Sequence, residues 1–560
     1  MSAPPLRAPA RLAGAGSPYT PHPGFFDWPA LLARDRALWT RAVENANGPI
    51  VLIGSNTGMH GAVITMDSVL GAALTLRGAR VRYVLCDGVL QGCLMATYSD
   101  ALPPKLIAER GLFGALCKAC FNRGTNLYRP LGLPVHRLSD FLEPADYAAV
   151  EAELGHMSAA DMAEWAPGGA PVGEHAQAGA LRYFARGELE SEPHGEAVLR
   201  RYAEGAALAG RAYERLIAQE KPDAAVLHHG IYSPQGIAAE MLRRAGARIA
   251  TWVVAYRKHC FIFSHDDTYH HTLISEPTEA WENLALTDSQ KRAVTDYLAS
   301  RAGGTGDWIY FHREADTAFA DFARARGIDL DKPLITALTN VMWDAQLHYP
   351  MNVFAGMKEW LVETVRWFAD RPDLQLLIRV HPAEARGAIV SRQRVADELA
   401  AVFPQLPANV FIAGPEDDVS TYAACAASDA AIIYGTKMGV ELATLGAHCI
   451  VAGEAWIRGK GLTHDAQSKA HYFELLSKLP FGETMPRPDR ERALRYAYHF
   501  FFRRMMPLPF LQPNGKGSMF DVAIGGLEAL APGNYPALDA ICDGVMAGAP
   551  FVYEAERFEP

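Results

Sequence analysis

Two short polar runs at the ends of apolar segments carry the residue types best suited to chemistry. Arg379-Val-His381-Pro382 closes the apolar run Leu374-Gln-Leu-Leu-Ile, and Gly435-Thr436-Lys437-Met-Gly439-Val-Glu441 follows Ile432-Ile-Tyr434. A guanidinium, an imidazole, an ammonium and a hydroxyl together suit a phosphate. The first run reads as a buried parallel strand that delivers Arg379 and His381 at its carboxyl end. The second turns from strand to helix through Gly435, so unpaired backbone N–H groups and the positive end of the helix dipole join Thr436 and Lys437. Glu441, a turn later, suits a ribose hydroxyl. The plainer readings are a His-Pro strand stop, a Thr cap and a first-turn carboxylate. The joint occurrence of both runs in one half of the chain favours the phosphate site. Gly453-Glu-Ala-Trp-Ile-Arg458-Gly459-Lys460-Gly461-Leu-Thr463 follows the next strand, and its glycines and cations suit a loop around the same ligand through Lys460, Gly461 and Thr463. The alternative is a surface loop. Glu416-Asp417-Asp418-Val-Ser420-Thr421 reads equally as a loop and a helix cap.

Such residues need a scaffold that aims strand ends at one place. Ligands of open α/β sheets bind beyond the carboxyl ends of the strands. Strands near 332–340, 374–380, 410–413, 430–434 and 448–452 alternate with helices, which is the rhythm of a parallel sheet. The earlier half shows the same rhythm. Pro49-Ile-Val-Leu-Ile-Gly54 leads into the loop Ser55-Asn-Thr-Gly58-Met-His60-Gly61 and a helix to Arg77, followed by a strand ending at Cys86-Asp87-Gly88. A long helix over 195–219 precedes the strand Ala224-Ala-Val-Leu-His228-His229-Gly230, and a further strand spans 248–254. Thr287 reads as the cap of a helix to Ser300. Ala302-Gly-Gly-Thr-Gly306 has the composition of a hinge. The expected organisation is a disordered leader over 1–24, a first Rossmann-like domain over 25–315, a second over 316–490, and a helical segment over 491–560 that crosses back to the first.

Composition bounds the partners. The chain has 560 residues, too many for one ordinary core, and 49% are hydrophobic. Its net charge of −10 argues against a nucleic-acid binder. No membrane span or signal peptide is evident, which points to the cytoplasm. Eight cysteines are ordinary usage for a reducing compartment. Cys86, Cys93, Cys117 and Cys120 lie close in sequence, and a Cys-x-x-Cys pair with two others could build a structural zinc site, although buried free thiols are the usual reading.

The later half resembles the capsule polysaccharide biosynthesis glycosyltransferases through Arg379-Val-His381-Pro382, Gly435-Thr436-Lys437-Met-Gly439-Val-Glu441 and Gly461-Leu462-Thr463. The match covers roughly 330–480 and extends only loosely to the first half. The resemblance implies the α/β GT-B architecture, in which two Rossmann-like domains with parallel sheets face a cleft. It also implies a nucleotide-linked sugar as donor, CMP-linked in several members, with no cofactor strictly required. Glycerol-phosphate polymerases and bacterial sialyltransferases share such motifs, so a sugar-phosphate transferase and a non-catalytic subunit of a synthesis or export complex stay open as alternatives.

The first half would then present a glycan or glycolipid acceptor. Asp87 is the candidate carboxylate and His229 the candidate base, with His60 beside them; Asp67 and Tyr232 occupy comparable positions. Tyr256-Arg-Lys-His259 and His265-Asp-Asp-Thr-Tyr-His270-His271 read as a polar cleft-lining loop. The aromatic, basic run from Arg492 to Phe510 reads either as an interfacial face for peripheral membrane association or as a buried helix spanning both domains.

Overall fold

The strands Ile50–Asn56 (β1), Arg80–Leu85 (β2), Val135–Arg137 (β3), Ala224–His228 (β4), Arg248–Val254 (β5) and Cys260–His265 (β6) build the first sheet of the computed structural model. The structure describes residues 26–558 apart from 99–101, 113, 303–305, 309–318, 345–348, 483–486 and 515–519. The expected leader over 1–24 and the centre of the expected hinge lie outside the described residues.

β1 and β4 are buried along almost their whole length, as their near-continuous Val, Ile, Leu and Ala require of strands covered on both faces. They are parallel neighbours, with Val51 opposite Ala224 and Leu52 opposite Ala225. The chain runs from β1 outward through β2 and β3, then returns to the other side of β1 with β4 and β5, also in parallel. The order therefore reverses between β1 and β4. β6 was unexpected: Cys260-Phe-Ile-Phe-Ser-His265 pairs antiparallel with β5, because four successive residues of this stretch are apolar and buried inside what reads as a polar loop.

The second sheet repeats the plan. Leu334–Leu338 (β7), Gln375–Arg379 (β8) and Val410–Ala413 (β9) run outward, and Ala430–Ile433 (β10), Cys449–Val451 (β11) and His464–Asp465 (β12) return on the other side of β7. All neighbouring pairs are parallel, and Leu338 sits opposite both Arg379 and Ile433. Its reversal falls between β7 and β10. The architecture is α/β, with two Rossmann-like sheets whose reversal points open on a common cleft, the GT-B arrangement.

Two helices join the halves. Thr287 caps the Asp288–Ala302 helix: Gln290 N donates to Thr287 Oγ1 at 3.2 Å, and Thr287 N donates back to Gln290 Oε1 at 3.0 Å. The Arg490–Tyr498 helix leaves the second half, and Met506–Pro507 (β13) then adds antiparallel to β6 of the first. Tyr496 donates to the Trp456 carbonyl in the second half at 2.6 Å, while His499 Nε2 meets the Glu276 carboxylate of the first at 2.9 Å. Phe500, Phe501 and Phe502 are buried. Each such ring contributes about 1.5–3 kcal/mol to holding the halves together, and none is left as an interfacial face. The membrane-docking reading of this run is therefore corrected to a buried crossing segment. Among the described residues no helix is long and apolar enough to cross a membrane.

Candidate functional site

Both reversal points open on one cavity of 1320 Å³ between the halves. On the side of the second sheet its wall is made by the segments that follow three adjacent strands: Thr339-Asn340 after β7, Arg379-Val-His381 after β8 and Gly435-Thr436-Lys437 after β10. Backbone and side chain interlock there. His381 N donates to Thr339 Oγ1 at 3.0 Å, and Asn340 Nδ2 donates to the Gly435 carbonyl at 3.3 Å. Ala383 N donates to His381 Nδ1 at 3.1 Å, so the proton of the neutral imidazole resides on Nε2 and His381 is a hydrogen-bond donor through that atom.

Arg379 lines the cavity, yet its guanidinium is largely spent on structure. It donates to the carbonyls of Gly414 and Asp417, and so braces the loop after β9. Burial lowers its pKa to about 10, with Asp417 opposing. The acidic loop segment closes on itself, since the Asp417 carboxylate accepts from Gly414 N at 2.7 Å. Lys437 is held by Glu441, its Nζ 3.1 Å from Oε1. Burial lowers the Lys437 pKa while Glu441 opposes that shift. Burial works to raise the Glu441 carboxyl, but Lys437 and Arg301 hold it below its ordinary value. Glu441 itself is 1% exposed and lies behind the wall, with Tyr422 donating to it.

The first half contributes imidazoles. His60 follows β1 and His228-His229 end β4, at the reversal point of that sheet. The His60 and His228 rings lie 5.2 Å apart, and those of His228 and His229 4.2 Å. The backbone is wound left-handed through His229 (φ 62), Gly230 (φ 70) and Tyr232 (φ 67), a conformation that side chains other than glycine adopt at a cost of about 1–3 kcal/mol each. Burial, reinforced by Arg182, lowers the His60 pKa to about 4 and that of His229 to about 3. Burial also takes His228 well below the ordinary imidazole value, and His229 Nδ1 is buried with no hydrogen-bond partner among the described residues. These rings are neutral at physiological pH.

Arg182, from the Val172–Phe184 helix, spans the cleft. It donates to Asp344 Oδ1 of the second half at 2.9 Å, to Tyr232 at 3.2 Å and to Tyr98 at 3.1 Å. Burial penalises its charge, but Tyr232, Asp344 and Tyr98 hold its pKa above the ordinary value. Arg182, Asp344, Asn340 and Arg301 all line the cavity and were not singled out from sequence. Thr339-Asn340 had a usable signal, a polar pair directly after an apolar strand. Arg182 lies inside a helix whose pattern gives no hint of it.

The structure corrects several expectations. Asp87 is 3% exposed and does not line the cavity; it accepts from Ser139 N at 3.1 Å and from Ser139 Oγ at 2.5 Å, which ties β2 to the turn after β3. Its role is to secure that turn, so it cannot serve as the carboxylate facing an acceptor. Lys460, 1% exposed, donates to the carbonyls of Ile274 and Glu276 at 2.9 and 2.6 Å, and burial lowers its pKa to about 8. Gly461 accepts from Arg492, and Thr463 donates to Asp465 at 2.6 Å. None of these three lines the cavity, because the loop after β11 folds against the end of the Tyr269–Ser275 helix. Asp67 is also away from the cavity, buried between Ser55 and Trp252. The four cysteines gather in the first half as free thiols, and among the described residues no group of three or more ligands is placed to hold a metal ion. Burial raises the pKa of Cys86, Cys93, Cys117 and Cys120, Cys117 to about 12.

No family model matches the chain, and no curated protein matches it. Among solved structures it is similar to the KpsC beta Kdo 2,4 transferase of Thermosulfurimonas dismutans, at 12% identity and a TM-score of 0.31, over 50% of this chain and 80% of that one. It is similar to the UDP-GlcNAc 2-epimerase of Neisseria meningitidis bound to UDP-GlcNAc, at 9% identity and a TM-score of 0.28, over 80% of this chain and 96% of that one. It is likewise similar to Acinetobacter baumannii MurG, at 12% identity and a TM-score of 0.25, over 80% of this chain and 95% of that one.

Proposed function

We propose that the chain is a glycosyltransferase that moves a sugar from a nucleotide donor to a glycan or glycolipid acceptor in capsular or surface polysaccharide synthesis. One observation carries this reading: the reversal points of two sheets open on a single cavity, one lined by His381, Thr436 and Lys437 and the other by His60, His228 and His229. The first set offers donors to a phosphate. The second offers neutral acceptors to a hydroxyl.

In the proposed reaction the acceptor oxygen forms a bond to the anomeric carbon of the donor as the bond from that carbon to the phosphate oxygen breaks. The bonding pair leaves with the phosphate, where His381 Nε2–H and the Lys437 ammonium stabilise the developing charge. The acceptor's proton passes to a neutral imidazole, with His229 first in line because its Nδ1 is buried without a partner. Cations fixed in a closed cleft can stabilise a leaving nucleotide without a metal ion. The protein would act in the cytoplasm, alone or within a polysaccharide synthesis or export complex, on a donor that could be CMP-linked.

The test is incubation of the full-length protein with a panel of CMP-, UDP- and GDP-linked sugars and an oligosaccharide acceptor, with products weighed by mass spectrometry. Expected is an acceptor heavier by one sugar residue and release of the free nucleotide. An acceptor heavier by a sugar phosphate would instead identify a phosphotransferase, and binding without turnover across the panel would identify a non-catalytic subunit.

A further inference from the structure

Two cations from different parts of the chain converge on one carboxylate oxygen. Glu441 Oε1 lies 3.1 Å from Lys437 Nζ and 3.3 Å from Arg301 Nε. Lys437 and Glu441 belong to the second half, four residues apart on the turn after β10. Arg301 closes the Asp288–Ala302 helix at the end of the first half. Its far side is fixed by the Asp307 carboxylate at 2.5 Å and the Tyr297 hydroxyl at 3.0 Å, and Tyr297 donates to Asp307 at 2.7 Å. The Tyr256 ring faces both cations, with its centre 5.0 Å from Lys437 Nζ and 5.6 Å from Arg301 Cζ.

The cluster holds two positive and two negative groups, so it is balanced as it stands. Arg301 and Glu441 are 5% and 1% exposed at their side chains, and Lys437 18%. A phosphorylated ligand in the cavity attracts Lys437, the more accessible of the two cations and the one on the flexible stem. If Lys437 were the sole partner of Glu441, its departure would strand a buried carboxylate, a strongly unfavourable state. Arg301 already touches the same oxygen and is anchored from behind by Asp307, and Tyr422 donates to the other carboxylate oxygen, so Glu441 keeps a cation and a hydrogen bond when Lys437 leaves.

We infer that Arg301 is a positioning residue for phosphate binding: it keeps Glu441 partnered so that the Lys437 ammonium can turn to the ligand. This rests on the reading of the cavity as a nucleotide-sugar site and adds a dependence that reading does not contain. The cation that frees Lys437 comes from the first half, so phosphate affinity depends on the two halves being in register.

The experiment is titration calorimetry on the full-length protein with cytidine, uridine and guanosine and with their 5′-monophosphates and 5′-diphosphates. It uses the wild type, Arg301→Gln, Glu441→Gln and the double variant, each checked for folding by thermal melting. Arg301→Gln is expected to weaken the preferred nucleotide about tenfold or more, the scale of one charge-assisted contact, and to leave the parent nucleoside unchanged. In the double variant Glu441 no longer holds Lys437, and nucleotide affinity is expected to return to within about threefold of wild type. Should Arg301→Gln fail to fold, Glu441→Gln alone decides, because releasing Lys437 is expected to tighten nucleotide binding while weaker or equal binding overturns the inference. Wild-type protein that binds nucleotides no better than nucleosides would sink the cavity reading itself. A preferred nucleotide bound equally by wild type and Arg301→Gln, or a double variant as weak as Arg301→Gln, would overturn only the role given to Arg301.

Discussion

His381 offers the sharpest test of the proposed donor site, because its two ring nitrogens have separable tasks. Nδ1 accepts from Ala383 N and so holds the turn after β8, and Nε2–H is the atom proposed to donate to a ligand. A hydrogen bond to a charged group contributes about 1.5–3 kcal/mol, and its loss weakens binding by about 10- to 150-fold at 1.4 kcal/mol per decade. His381→Ala removes both tasks. His381→Asn keeps an acceptor near the Nδ1 position and cannot reach as far as Nε2, whereas His381→Gln extends an amide N–H towards it.

Calorimetry with the preferred nucleotide and its parent nucleoside is therefore expected to rank the variants wild type, Gln, then Asn and Ala together, with the whole loss confined to the phosphorylated ligand. The outcome that refutes the reasoning is specific. If Asn binds the nucleotide like wild type while Ala does not, His381 serves the turn and never meets the phosphate. If nucleoside and nucleotide weaken equally, the imidazole contacts some other part of the ligand.

Lys460→Met removes a buried ammonium that ties two carbonyls of the first half to the second; a loss of about 1–3 kcal/mol in urea denaturation is expected, with nucleotide affinity within about twofold of wild type, and a large affinity loss at unchanged stability would return Lys460 to the site. Asp67 is held neutral by burial, which raises its pKa to about 7 against the hydrogen bonds from Ser55 and Trp252. The stability it contributes is present below about pH 4 and lost as pH rises through 7, so Asp67→Asn should stabilise the protein at pH 8 by on the order of 4 kcal/mol and hardly at all at pH 4. Equal effects at both pH values would contradict a neutral Asp67. His60 and His270, each lowered to about 4 by burial, and His229, lowered to about 3, have the opposite linkage. Their contribution is present above the unfolded value near 6.5 and is lost as pH falls towards 4, at about 1.4 kcal/mol per pH unit for each ring. Denaturation midpoints that stay level between pH 6.5 and 4.5 would show that the rings are not buried neutral.

How far the sequence reveals this molecule depends on the range of the interaction involved. Strand ends are local: an apolar run followed by Arg-Val-His-Pro or His-His-Gly announces a parallel strand and the side chains beyond it, so His60, His229, His381, Thr436 and Lys437 could be found and do line the cavity. Which of those side chains faces the ligand is not local. Asp87 satisfies the same positional rule as His229, yet Ser139, 52 residues away, claims its carboxylate. Lys460 sits in a glycine-rich loop of the right composition, and the carbonyls that bind it come from 184 and 186 residues earlier. β6 was hidden because charged neighbours on both sides mask a short apolar stretch. Arg182 and Arg301 were hidden because helix patterning reports the face that packs and says nothing about which long side chain crosses a cleft.

The chemistry is divided between the halves in a way that follows from their charges. The second half keeps its cations in balance with carboxylates and carbonyls: Lys437 with Glu441, Arg379 with Gly414 and Asp417. The first half packs three imidazoles so tightly against apolar surroundings and Arg182 that none carries charge at physiological pH. A ring lowered to about 3 is a weak base in the empty cavity. An anionic donor placed between the halves alters both sides at once, drawing Lys437 out of its pair and raising the proton affinity of the nearest imidazole through the added negative charge. On the proposed reading, the base thus gains strength only when the leaving group is in place. On that same reading, this order of events makes proton transfer from the acceptor hydroxyl depend on a bound donor, with His229 held in place by a left-handed backbone (φ 62).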